Sequence, residues 1–80
     1  MNLLTTLGSA IREERLRKGL SQEALAEQAD LHRNFIGMVE RGSTAVAVDS
    51  LSAIAAALGL PASELLRRAE AEVPGRRARS

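Results

Sequence analysis

Apolar residues recur along this chain at three- and four-residue steps, punctuated by glycines, and that rhythm predicts short helices and no strand. Leu3, Leu7, Ala10 and Ile11 share a helical face and Gly19 gives a stop signal, so a first helix is expected from about Leu3 or Thr5 to Lys18. A second is expected from about Gln22 to Ala29, with Ala24, Leu25 and Ala29 on one side. Ser21 is its N-cap, and Glu23 suits the positive helix start, although Ala24 at the third position denies it a full capping box. Asp30 and Leu31 supply a tight turn. The third helix is expected from about Arg33 to Arg41, with Ile36 and Val39 facing inward and Gly42 ending it. An uncharged loop follows at residues 43–47. The fourth helix covers about residues 48–58, with Leu51, Ile54, Ala55 and Leu58 as its buried stripe and Gly59 as a left-handed cap. The fifth starts around Pro61, where a missing N–H costs nothing, and passes through Leu65 and Leu66 to about Glu72. Residues 73–80 read as a basic, disordered tail beyond a domain of residues 1–72.

Two short helices joined by a tight turn, over about residues 21–41, describe a helix-turn-helix. In that unit the second helix can lie in the DNA major groove. The segment LSQEALAEQADLHRNFIGMVERG resembles the Xre family of phage-repressor and Cro-like regulators. Leu20-Ser21-Gln22-Glu23 with Leu25-Ala26 carry the resemblance at one end, and Val39-Glu40-Arg41-Gly42 at the other. It extends from about Leu7 to Leu66. The resemblance implies an all-α, compact five-helix lambda-repressor-like domain. It also implies a cytoplasmic, homodimeric, sequence-specific regulator of transcription on double-stranded DNA. Within the family, the chain's size and its HRNFIGMVERG segment look most like the controller proteins of restriction–modification systems. A protein of that kind would act on its own promoter, activating and repressing by site occupancy.

Candidate contacts follow from the exposed face of the third helix. Arginine can donate two bonds to guanine O6 and N7, and asparagine can pair with adenine N6 and N7, so Arg33 and Asn34 are expected to read bases. His32 is assigned a base or phosphate contact, and Met38 a thymine methyl or a partly buried filler. Gly37 continues the same outward face. By the resemblance, Gln22 opens the second helix against the phosphate backbone. Arg41 and the hydroxyl of Thr44 are further backbone candidates. The resemblance also pairs Arg15 with Glu40, which would hold the first helix against the third and fix the groove angle. Phe35, the only aromatic residue, is expected to pack rather than touch DNA. Glu14 stands where relatives often carry an apolar residue, and Glu13-Glu14 and Glu70/Glu72 read as solvated faces.

Bulk properties narrow the rest. A chain of 80 residues buries only about 60–65% of its unfolded surface, so dimerisation is an obvious source of added stability. Leu60, Leu65 and Leu66, with Ala62 and Ala69, are the expected two-fold interface. There is no cysteine and one histidine, which excludes a thiol nucleophile, a thiolate zinc site and a metal site built on His32 alone. No metal, cofactor, small-molecule ligand, membrane segment or enzymatic activity is expected. Net charge is +1, but residues 1–75 hold eight Lys and Arg against ten Asp and Glu. Only Arg76, Arg77 and Arg79 tip the sum, so DNA binding must rest on local cations. The rival reading is an antitoxin or adaptor that uses the same bundle to bind a protein.

Overall fold

Five helices follow one another in the computed structural model, which describes residues 2–74: α1 Leu3–Arg17, α2 Gln22–Ala29, α3 Arg33–Arg41, α4 Val48–Ala57 and α5 Ala62–Ala71. There is no strand among the described residues. Every boundary falls within a residue or two of the expected one. Pro61 sits just outside α5 as its N-cap, with extended backbone, rather than inside the first turn. Asn2 and Ser21 cap α1 and α2 by accepting the N–H of Thr5 and Ala24, each at 2.9 Å.

The first four helices close by one device. A left-handed residue (Gly19, Asp30, Gly42 or Gly59) is followed by an N–H that reaches back to a carbonyl five residues earlier. These bonds run from Leu20 to Arg15, Leu31 to Ala26, Ser43 to Met38 and Leu60 to Ala55, at 2.8–3.0 Å. Three of the donors are leucines, and all three then fold back as partly buried side chains on the core. Asp30 is the one non-glycine residue with positive φ among the described residues, at 57°. Aspartate tolerates that conformation better than most residues but still at some cost.

Ile11, Leu25, Ile36, Ile54, Leu58 and Leu65 form the centre, each fully buried. Burying one such side chain stabilises the fold by about 1.5–3 kcal/mol. α1 packs on α3 and α5, α2 on α3 and α4, and α4 on α5. The α1–α3 contact is a backbone contact. A β-carbon on Gly8 would stand 2.5 Å from the carbonyl oxygen of Glu40 and closer still to that of Val39. One on Gly42 would meet the Thr5 α-carbon at 2.8 Å. Glycine at both positions lets α1 lie directly against the end of α3.

Three expectations need correction. Glu14 is not solvated: it is 4% exposed, and its Oε1 accepts from Arg17 Nη1 at 2.8 Å and Arg68 Nη1 at 2.9 Å. A carboxylate can be buried there because two guanidiniums are brought to it. Leu65, with Ala69, is 0% exposed inside the single chain. Neither has surface to give a second copy, because α5 turns this face onto the core; of the expected interface leucines, Leu60 and Leu66 remain partly exposed. Val73, expected to begin the tail, is buried at 8%, so the folded part extends past α5. The expected tail arginines lie outside the described residues.

Candidate nucleic-acid interface

α2 and α3 are set by the turn at Asp30 and Leu31, and their first turns emerge on the same side of the molecule. An open, shallow hollow between them is lined by Arg15 of α1, the cap residue Ser21, Gln22 and Glu23 of α2, and Arg33, Asn34, Gly37, Met38 and Arg41 of α3. Ile36 and Val39 are buried on the opposite side of α3. Arg33 and Asn34 are exposed in the first turn, and Met38 is 37% exposed one turn on. Phe35 is partly buried against the core, as its apolar ring demands. His32 occupies the N-cap of α3 but bonds to none of its N–H groups. The start of α3 therefore offers free amide donors beside Arg33, an arrangement that suits anions. Thr44 turns its hydroxyl onto the carbonyl oxygen of Ala45 at 3.3 Å.

Arg15 and Glu40 are brought together by the α1–α3 packing. Arg15 Nε donates to Glu40 Oε2 at 2.6 Å and Nη2 to Oε1 at 3.0 Å, a two-pronged pair with both residues under 9% exposed. The remaining nitrogen, Nη1, donates to the Leu20 carbonyl at 2.8 Å. One guanidinium thus ties α1, the α1–α2 junction and α3.

Gln22 is more constrained than its sequence position suggests. Its Nε2 donates to Glu40 Oε1 at 3.0 Å. A carboxylate only accepts, so the amide nitrogen faces inward and the oxygen outward. One N–H remains for a phosphate. Gly37 is not open either. Arg41, four residues on, folds back so that a β-carbon at Gly37 would lie 3.2 Å from Arg41 Nη1 and 3.7 Å from Gln22 Oε1. Sequence reasoning missed this cover, and it missed Glu14. The 37/41 spacing was the available signal for the first; nothing near Glu14 announces Arg68 at the far end of the chain.

Among the described residues no group of histidines and acids could hold a metal, and no helix is long and apolar enough to cross a membrane. A buried ion pair orienting an exposed helix, whose first turn carries arginine and asparagine, defines a helix-turn-helix DNA-binding protein. The chain belongs to the Helix-turn-helix family, whose model matches residues 11–65, and it is a DNA-binding regulator of transcription. It is 41% identical over 66 residues to Control protein C.BamHI of Bacillus amyloliquefaciens, covering 81% of this chain and 82% of that one. Control protein C.SmaI of Serratia marcescens is 40% identical over 68 residues, covering 85% and 81%. Among solved structures, the restriction-modification controller protein C.AhdI from Aeromonas hydrophila is 42% identical with a TM-score of 0.76, covering 78% of this chain and 94% of that one.

Proposed function

We propose that the chain is a controller of a restriction–modification system, working in the cytoplasm as a homodimer on a near-palindromic operator. One observation carries this reading: an α3 that is exposed and held by Arg15–Glu40, in a chain alike over four-fifths of its length to proteins named as controllers. Two copies of α3 related by a two-fold axis would enter successive major grooves, with half-sites about 10 bp or 34 Å apart. Arg33 reads guanine and Asn34 adenine, while His32 and Met38 complete the base contacts. The free N–H of Gln22 and the Thr44 loop sit on phosphates and set register without reading sequence. The dimer uses the exposed parts of Leu60 and Leu66. Occupancy then follows the protein's own concentration through a monomer–dimer equilibrium.

Selection of bound sites from a random oligonucleotide pool, followed by titration at two salt concentrations, tests this. The expected result is an enriched two-fold-symmetric site whose affinity falls steeply with salt. Enrichment of nothing, with no binding at either salt, would overturn the reading in favour of a protein-binding adaptor.

A further inference from the structure

The outer face of α3 has a gap in its middle turn, and a residue from the next turn fills it. Positions 33, 37 and 41 lie at four-residue steps on one side of α3, and the middle one is Gly37. Side chains on a helix lean toward its N-terminus, so the side chain of residue 41 overlies residue 37. Here Nη1 of Arg41 comes within 3.2 Å of the point where a β-carbon on Gly37 would stand. The guanidinium therefore sits about 6 Å back along the axis from its own α-carbon, over the centre of the face and not at its end. Gln22 Oε1 flanks the same point at 3.7 Å. That oxygen is turned outward because Nε2 is engaged by Glu40 Oε1. The buried Arg15–Glu40 pair thus sets Gln22, and Gln22 presents an acceptor beside Arg41. No carboxylate among the described residues forms an ion pair with Arg41.

We propose that Arg41, folded over Gly37 beside Gln22, reads a guanine in each half-site and is not a clamp on the sugar-phosphate backbone. Sequence position alone assigned it to the backbone, because a residue at the end of the recognition helix normally reaches the groove's rim. The fold-back moves its donors to the groove's floor, where guanine O6 and N7 accept two parallel bonds from a guanidinium. Gly37 is then a specificity element through its missing side chain: it is the seat on which the arginine lies. The inference rests on the DNA-binding reading above and adds a second base-reading arginine to Arg33.

The test uses the full chain and the site that it enriches from a random pool, with each base pair of the half-site substituted in turn in competition binding. Arg41→Ala should abolish the preference for guanine at one base pair per half-site, a change of roughly tenfold or more. That base pair should differ from the one lost with Arg33→Ala. Gly37→Val places two methyl groups where the guanidinium lies, and valine is no worse than glycine in a helix interior. It should keep the helical circular dichroism and melting temperature while losing preference at the same base pair as Arg41→Ala. The double variant should lose no more preference than Arg41→Ala alone. If Arg41→Ala weakens all substituted sites equally, Arg41 binds phosphate and the inference fails. It fails equally if the losses from Gly37→Val and Arg41→Ala fall at different base pairs or add. Absence of any enriched site for the unmodified chain would instead sink the DNA-binding reading itself.

Discussion

Glu40 is a hub beneath the interface. It accepts from two nitrogens of Arg15 and from Gln22, so it joins α1 and α2 to the helix that carries the recognition face. Removing it leaves the Arg15 guanidinium buried and unpaired, which costs about 3 kcal/mol or more in comparable sites. Glu40→Ala is therefore expected to lower the denaturant midpoint by that order and to weaken DNA binding in step. A loss below about 0.5 kcal/mol, the range of exposed pairs, would contradict the burial seen here. Arg33 lies outside this network and is expected to matter only to DNA. Arg33→Ala should leave the melting temperature unchanged, cost about 1–3 kcal/mol per half-site and relax preference at one base pair. Competition binding would count against base reading by Arg33 if every sequence weakened alike. The Arg15–Glu40 pairing was legible in the sequence because the flanking motifs fix both positions. The bond from Gln22 to Glu40 was not legible, since it depends on how closely α2 and α3 start together.

At the scale of elements, α5 is fastened to α1 by charge as well as by apolar burial. Glu64 accepts two bonds from Arg67, at 2.8 and 3.0 Å, and one from Arg68 at 2.9 Å; Arg68 then reaches Glu14 on α1. The bonded guanidinium of Arg67, and after it that of Arg68, holds the Glu64 carboxyl down from the ordinary 4.5 to about 2. A lowered folded value means that the native state favours the charged form. Its contribution is complete above the unfolded value and is lost as pH falls through the folded one. Thermal melts between pH 5 and about 2 should thus show a decline in stability that Glu64→Gln reduces. High salt should reduce it too, because the cluster is largely at the surface. An identical pH dependence in the variant would remove Glu64 from the account. The five helices themselves were readable from apolar spacing and from the glycines that close them. What spacing concealed was the direction in which α5 turns: the same leucine pair reads as surplus surface or as core until the packing of α1 and α4 is known.

For the whole molecule, the described core is complete in one copy, with Leu65 and Ala69 consumed inside it. What remains for a partner on this side is the partly exposed surface of Leu60 and Leu66. Leu66→Glu should accordingly leave the helical spectrum intact and yield monomers at micromolar concentration, with binding to a symmetric operator weakened. If sedimentation finds the unmodified chain monomeric even at ~100 μM, far above the affinities usual for such regulators, the proposed two-fold assembly is wrong. Charge at this scale is modest, since residues 1–75 carry more acids than bases. Steering toward DNA must come from the few uncompensated arginines on one face, and doubling them by assembly raises that local field.

Gly8 lies in α1, on the far side of α3 from Arg33 and Asn34, and still constrains them. A methyl group there would land on the carbonyls of Val39 and Glu40, so α1 and the end of α3 would have to part before it fitted. The fold has no slack to offer, because the contact is backbone on backbone. A genetic screen for lost repression should recover alleles at position 8 as readily as at the recognition residues. Those alleles should be conditional, failing as temperature rises. Their second-site suppressors should fall in the side chains packed between α1 and α3, and not on the surface that touches the operator.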